Sequence, residues 1–231
     1  MSRALLLQIR SRFRDVADDD KAPQMQNYMK STMPVPRRFR ACPEKGIKGD
    51  LFRFEVQGRA GLTNTVLYIW RNARFREEWY AAVMLCEWKR AREFQTPQTL
   101  SLYEEMIVGS AWWDVVDALA SHCVGELLRR YPKPIRRQML AWSRSGNMWK
   151  RRTSIICQLG FKRNTDLDLL YACIRPSLGS KEFFLRKAIG WALRQYAWTD
   201  PGEVQRYVRD HEGKLSPLSR REALKNVSVR T

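Results

Sequence analysis

Four segments of this chain, at residues 79–83, 115–119, 151–155 and 186–190, recur at intervals of 36, 36 and 35 residues with similar apolar helical character. A period of that size is the mark of stacked helix pairs, because a single pair cannot bury its apolar face without a neighbour. Between these segments the pattern stays helical, with no hairpin signal and no alternating run of strand length. The chain reads as all-α, a HEAT-like α-solenoid of antiparallel helix pairs forming one domain over residues 1–231, curved so that a concave face can hold an extended ligand. A helical bundle with similar helix and loop lengths also produces a loose period, and that alternative stays open here.

Prolines and short polar residues mark where helices start and stop. Thr96 before Pro97, and Asp200-Pro201-Gly202-Glu203, place a capping side chain ahead of a proline at the first helical position, where the missing N–H costs nothing. Thr165-Asp166-Leu167-Asp168 and Ser219-Arg220-Arg221-Glu222 read as capping boxes. Tyr131-Pro132-Lys133-Pro134 breaks the helix that begins near Trp112, and Pro176 to Gly179 ends the one that begins near Thr165.

Charge narrows the partner. Against 24 Asp and Glu stand 42 Lys and Arg, a net charge of +18 on 231 residues. Between Glu126 and Asp166 there is no acid at all, while Arg129, Arg130, Lys133, Arg136, Arg137, Arg144, Lys150, Arg151, Arg152, Lys162 and Arg163 all fall there. Any one of these is an ordinary solvated cation, but the group makes a phosphate-binding surface. No helix has the clean basic and apolar split of a lipid anchor. With nine Trp, nine Phe and eight Tyr the chain can also bury a core, so it is no disordered basic tail.

Several enzyme classes drop out. The five cysteines, at 42, 86, 123, 157 and 173, form no C-x-x-C pair and no disulfide framework, which fits a reducing cytoplasm. His122 and His211 are the two histidines, and neither neighbours a G-x-S-x-G nucleophile motif or a zinc-ligand spacing. Asp18-Asp19-Asp20 reads as a solvated turn rather than a metal site, and neither metal nor cofactor is expected. The N-terminus has too short an apolar run for a signal peptide, and no stretch approaches the roughly 18 apolar residues of a membrane span.

Helical projection at 100° per residue picks out three places. Met148, Ile155 and Leu159 form one stripe with Arg152 in its middle, and a cation there needs an anion. That anion is either a carboxylate of a neighbouring helix or a phosphate of a ligand. On the helix from Trp112, the residues Trp112, Val116, Leu119, Cys123 and Leu127 form the buried face, Asp114 faces solvent, and Trp113 and Asp117 sit one above the other at the edge. Most Trp-x-x-x-Asp pairs are structural. Trp191 stands between the apolar side of its helix and the basic side made by Lys187 and Arg194, so two boundary indoles and one carboxylate can line a common groove.

These residues resemble a known family, the DNA alkylation repair glycosylases of the AlkD type. The resemblance rests on Trp112-Trp113-Asp114-Val115-Val116-Asp117, on Trp149-Lys150-Arg151-Arg152-Thr153 followed by Gln158-Leu159, on Ser180-Lys181-Glu182-Phe183-Phe184 through Lys187-Ala188-Ile189-Gly190-Trp191, and on Leu215-Ser216-Pro217-Leu218-Ser219-Arg220-Arg221-Glu222-Ala223. It is nearly continuous over residues 112–226 and weaker over 77–108 and at Asn27-Tyr28-Met29-Lys30. It departs over residues 31–62, where Met33-Pro34-Val35-Pro36 and Gly46-Ile47-Lys48-Gly49 read poorly as a helix, which puts the N-terminal wall of the groove in question.

The resemblance implies a HEAT-like solenoid wrapping duplex DNA in a basic groove, as a monomer. It implies that Asp117 is the essential carboxylate, Trp113 and Trp191 the cleft aromatics, Arg152 a DNA-binding support near the lesion, and Tyr28 an aromatic near the groove. Lys187 and Arg194 are assigned to the DNA backbone from their helical neighbourhood. The implied reaction is hydrolysis of the N-glycosidic bond of 3-methyladenine or 7-methylguanine. Such a base is already cationic and leaves without a general acid, so a carboxylate has only to stabilise positive charge growing on the sugar and orient water. At about 4 Å and an effective dielectric of about 20 that interaction is on the order of 4 kcal/mol, roughly a thousandfold in rate. Each indole adds about 0.5–2 kcal/mol by cation–π contact. Neutral lesions gain little from such a site, and the lesion is expected to stay stacked rather than enter a flipping pocket. Two further readings compete: a solenoid that binds damaged or branched DNA without catalysis, and a protein-interaction scaffold.

Overall fold

The computed structural model describes residues 2–15, 22–30 and 58–227, and every regular element among them is helical. The Asp18-Asp19-Asp20 turn and residues 31–57 of the divergent stretch lie outside the described residues. The chain divides into two compact units, Met1–Leu102 and Tyr103–Thr231.

In the first unit α1 (Ser2–Asp15) lays Leu5, Leu6, Ile9 and Phe13 onto α3 (Gly58–Arg71) and α4 (Arg76–Glu87). That spacing is one helical stripe, so the burial follows from the sequence period. Trp70 and Trp79 stack at 4.5 Å, and the Trp79 indole N–H donates to the Trp70 carbonyl. Arg10 donates twice to the Glu78 carboxylate at 3.1 Å and once to the Asn72 carbonyl, tying α1 to the turn before α4. Helix α2 (Ala22–Met29) carries Tyr28 with its ring exposed. Thr96 and Pro97 start a helical turn as expected, the Thr99 hydroxyl accepting the Thr96 N–H, although Pro97–Thr99 is a 3₁₀ turn that runs into α5 (Leu100–Ser110).

The second unit alternates helices between two layers. Residues 113–130 form one continuous helix, α6, which is α-helical at Trp113–Ala118 and Gly125–Arg130 and π-helical at Leu119–Val124. There follow α7 (Pro132–Ser143), α8 (Met148–Ile156), α9 (Leu167–Ile174), α10 (Phe183–Ala197), α11 (Pro201–Asp210) and α12 (Pro217–Leu224). Helices α6, α8, α10 and α12 pack each on the next, while α7 lies on α8 and α9, and α11 lies on α10 and α12. The four repeating segments each begin two or three residues into α4, α6, α8 and α10, so the sequence period is a helix-pair period.

The local signals fare unevenly. Pro132 separates α6 from α7, and Asn147 caps α8, its side-chain oxygen accepting the Trp149 and Lys150 N–H groups at 2.9 and 3.1 Å. Asp200 caps α11 through the Glu203 N–H, but the Glu203 carboxylate turns to Arg206 and Tyr171 instead of closing a box. The cap of α9 is Asp166, one residue beyond Thr165. The cap of α12 is Ser216, and Ser219 is buried inside the helix, its hydroxyl donating to the Arg186 carbonyl of α10.

Candidate active site

The site is built where α6, α8 and α10 meet. Just before α6, Ala111 takes a φ of +43°, a conformation that strains any residue with a Cβ, and the next residue, Trp112, is the N-cap. Trp113 and Asp117 follow on one face, one turn apart. Directly after them the chain enters its π-helical turn, and the Ser121 hydroxyl donates to the Asp117 carbonyl at 2.7 Å. A π turn inserts an extra residue into a helix and marks functional positions in many proteins. Gly125 lets this helix approach α8 closely: a Cβ there would lie 2.6 Å from the Cys157 carbonyl oxygen.

From α8, Arg152 decides the central question. Its Nε and Nη2 donate to the two Asp117 carboxylate oxygens at 2.7 and 2.8 Å, and its Nη1 donates to the Phe184 carbonyl, the second residue of α10, at 2.6 Å. Of the two anions that could compensate this arginine, the structure contains the carboxylate. The side chains are 5% exposed for Arg152 and 14% for Asp117, so the arginine is sealed in and the aspartate keeps a small accessible fraction. Burial pushes the Asp117 carboxyl above its ordinary range, Arg152 opposes this by hydrogen bonding and charge, and Asp114 adds to the rise.

An aromatic wall supports the pair. Trp112, Trp149 and Phe184 approach one another with ring centroids 4.9 to 6.3 Å apart, and the Arg152 guanidinium lies 5.8 Å from the Phe184 ring centre. Trp112 is only half-buried rather than core, and its indole nitrogen has no hydrogen-bond partner among the described residues. Asp114, expected in solvent, is half-buried with its carboxylate on the Val115 N–H. Trp191 lies half-buried two turns beyond Phe184 on the same face of α10 and packs against the core of the unit.

The predicted backbone contacts have intramolecular partners. Lys187 and Arg194 both bind the Glu222 carboxylate of α12, at 3.2 and 2.6 Å. In the acid-free stretch, Arg136 pairs with Asp166, Lys150 with Glu104, and Arg151 reaches the Ser177 hydroxyl and the Pro176 carbonyl. Arg129 donates to the Gly160 carbonyl and lies 4.0 Å from the Phe161 ring centre. Lys133, Arg137, Arg144, Lys162 and Arg163 are exposed with no side-chain partner among the described residues. Lys133 and Arg137 share one face of α7, and Arg144 is the residue that caps its C-terminus. Tyr28 belongs to the other unit.

A sequence profile described as DNA alkylation repair enzyme matches residues 9–227. The chain belongs to that family. A solved structure described as a predicted DNA alkylation repair enzyme from Enterococcus faecalis is 27% identical, covers 90% of this chain and 95% of its own, and superposes with a TM-score of 0.76. No curated protein matches.

Membership of the DNA alkylation repair family places the chain among enzymes of alkylated-DNA repair, whose substrate is a polyanion. Within it, Glu222, Trp149 and the Phe184 carbonyl are the parts that the sequence reading missed. Only Gly190 signalled one of them: a glycine inside an apolar helix marks a close approach, and a Cβ at Gly190 would lie 2.5 Å from the Glu222 Cβ. Among the described residues no group of three His, Cys, Asp or Glu could hold a metal, and no helix is long and apolar enough to cross a membrane.

Proposed function

We propose that this repair enzyme is a monofunctional DNA glycosylase, acting as a monomer, that hydrolyses the N-glycosidic bond of cationic alkylated bases, 3-methyladenine and 7-methylguanine, in duplex DNA. The observation that carries the reading is the Asp117 carboxylate, immobilised by two hydrogen bonds to Arg152 in a side chain that stays 14% exposed, one helical turn from Trp113. A carboxylate already oriented needs no reorganisation as positive charge grows on the deoxyribose, which is the condition for electrostatic catalysis. Each carboxylate oxygen retains a lone pair for the attacking water after bonding Arg152. The guanidinium offsets part of the negative charge, so the net effect falls below the roughly 4 kcal/mol of an isolated carboxylate at about 4 Å. Trp113 and Trp191 are the cleft indoles in this reading. The exposed cations, with Arg152 acting indirectly through Asp117, hold the backbone, and Tyr28 on α2 is a further DNA contact in this reading.

The same ion pair favours a second reading. A carboxylate with both oxygens bonded to an arginine is an ordinary structural bridge, and a protein so built can bind alkylated DNA without cutting it. Release of free 7-methylguanine and 3-methyladenine from methylated duplex DNA separates the two. The wild type is expected to release base and Asp117→Asn to lose it by about two to three orders of magnitude, in line with loss of an electrostatic stabiliser. Tight binding with no base release by the wild type establishes the binding-only reading.

A further inference from the structure

Helix α12 carries one carboxylate into the side of α10, and its placement is built rather than incidental. Gly190 has no Cβ, which lets the Glu222 Cβ approach to where that atom would otherwise stand, 2.5 Å away. One turn earlier Ser219 donates its hydroxyl to the Arg186 carbonyl at 2.9 Å, locking the register of the two helices. The Glu222 carboxylate thus reaches Lys187 at 3.2 Å and Arg194 at 2.6 Å. These two cations are seven residues apart on α10, with Trp191 between them on the same face. The carboxylate side chain is 13% exposed, whereas Lys187 and Arg194 are 39% and 24% exposed. Both cations therefore open outward while their counter-charge lies beneath them.

We propose that Glu222 is a built-in phosphate competitor, which holds Lys187 and Arg194 beside Trp191 and lowers their grip on the backbone of undamaged duplex DNA. The inference rests on the DNA-repair reading above. A cation that already shares a carboxylate gains less from a phosphate than a free one, because part of its charge is neutralised before the encounter. Two cations on one carboxylate carry a net single charge to the DNA surface. A repair enzyme that must leave unmodified sequence quickly benefits from that restraint, since non-specific affinity is almost wholly phosphate electrostatics.

The test is the salt dependence of binding to unmodified duplex DNA by the full-length protein. Glu222→Gln keeps the shape and an accepting oxygen but removes the charge. It is expected to bind more tightly at moderate salt and to steepen the logarithmic salt slope by about one to two units, one for each cation released to a phosphate. The triple variant Lys187→Gln/Arg194→Gln/Glu222→Gln is expected to lose that gain, and Glu222→Asp to restore much of the wild-type slope. An unchanged slope with a fall in melting temperature assigns Glu222 to holding α12 on α10 and overturns the proposal. A gain that persists in the triple variant also overturns it, because the effect is then general net charge. If the wild type fails to bind DNA at any salt, the DNA-repair reading fails first; normal wild-type binding with an unaltered Glu222→Gln slope overturns this inference alone.

Discussion

Asp117 and Arg152 lie 35 residues apart in the chain and meet through two hydrogen bonds of 2.7 and 2.8 Å, with the third arm of the guanidinium on the Phe184 carbonyl. One arginine thereby joins three helices and orients the carboxylate on which the proposed chemistry depends.

Removing Arg152 leaves a mostly buried carboxylate without its counter-ion. Arg152→Ala is expected to lose about 3–5 kcal/mol of stability, read as a lowered midpoint in denaturant unfolding. Because the guanidinium is committed internally, the salt slope of DNA binding is expected to stay near that of the wild type. A slope shallower by one unit would show a phosphate contact instead.

The pH dependence of base release follows from the same carboxyl. Burial raises its pKa above the ordinary carboxylate range, and the proposed mechanism needs the ionised form. Activity is expected to rise with pH through that elevated value, measured as the rate constant of base release in single-turnover assays. Replacing Arg152 by Met, where the variant folds, should move the rise to still higher pH, since the arginine is what pulls the value down.

Glu77, in the first unit, supplies a separate pH signature. It is buried with neither carboxylate oxygen hydrogen-bonded among the described residues, and burial pushes its pKa to about 8. A carboxyl raised in the folded state binds a proton on folding, so its contribution is full below the unfolded value near 4.5 and is lost as pH climbs through about 8. Thermal melts at pH 6 and pH 9 should therefore differ more for the wild type than for Glu77→Gln. Equal differences would show that Glu77 is ionised in the folded protein.

Ala111 holds a φ of +43° at the entrance to α6. Ala111→Gly is expected to relieve about 1 kcal/mol of backbone strain, partly offset by the greater entropy of the unfolded glycine. A small rise in melting temperature with base release retained would locate the strain there; a fall would show that the entropy term wins.

Gly190 is the converse case. Gly190→Ala must push α12 off α10, since the new Cβ would meet the Glu222 Cβ at 2.5 Å and the Ser219 carbonyl at 3.0 Å. A loss of about 1–3 kcal/mol is expected for overpacking of this kind, with weakened pairing of Lys187 and Arg194. Equilibrium unfolding checks the first effect and the salt slope of DNA binding the second.

What the sequence by itself determined is what acts within about one helical turn. The prolines at 132 and 201 and the Asp200 cap set helix starts because their effect is on the nearest N–H groups. That Trp113 and Asp117 share one helix face was legible because a helix puts residues four apart one above the other. The 35–36 residue period was legible because apolar faces repeat with the helix pairs. Tertiary structure alone decided the partners. Whether Arg152 meets a phosphate or a carboxylate depends on how α8 packs on α6, and no local pattern encodes that. Ser219-Arg220-Arg221-Glu222 looked like a capping box, yet both polar side chains face α10, one to the Arg186 carbonyl and the other to Lys187 and Arg194. Local propensity is the same in either case; only the approach of a second helix, made possible by Gly190, determines where a buried hydroxyl and carboxylate find the partners that their desolvation requires.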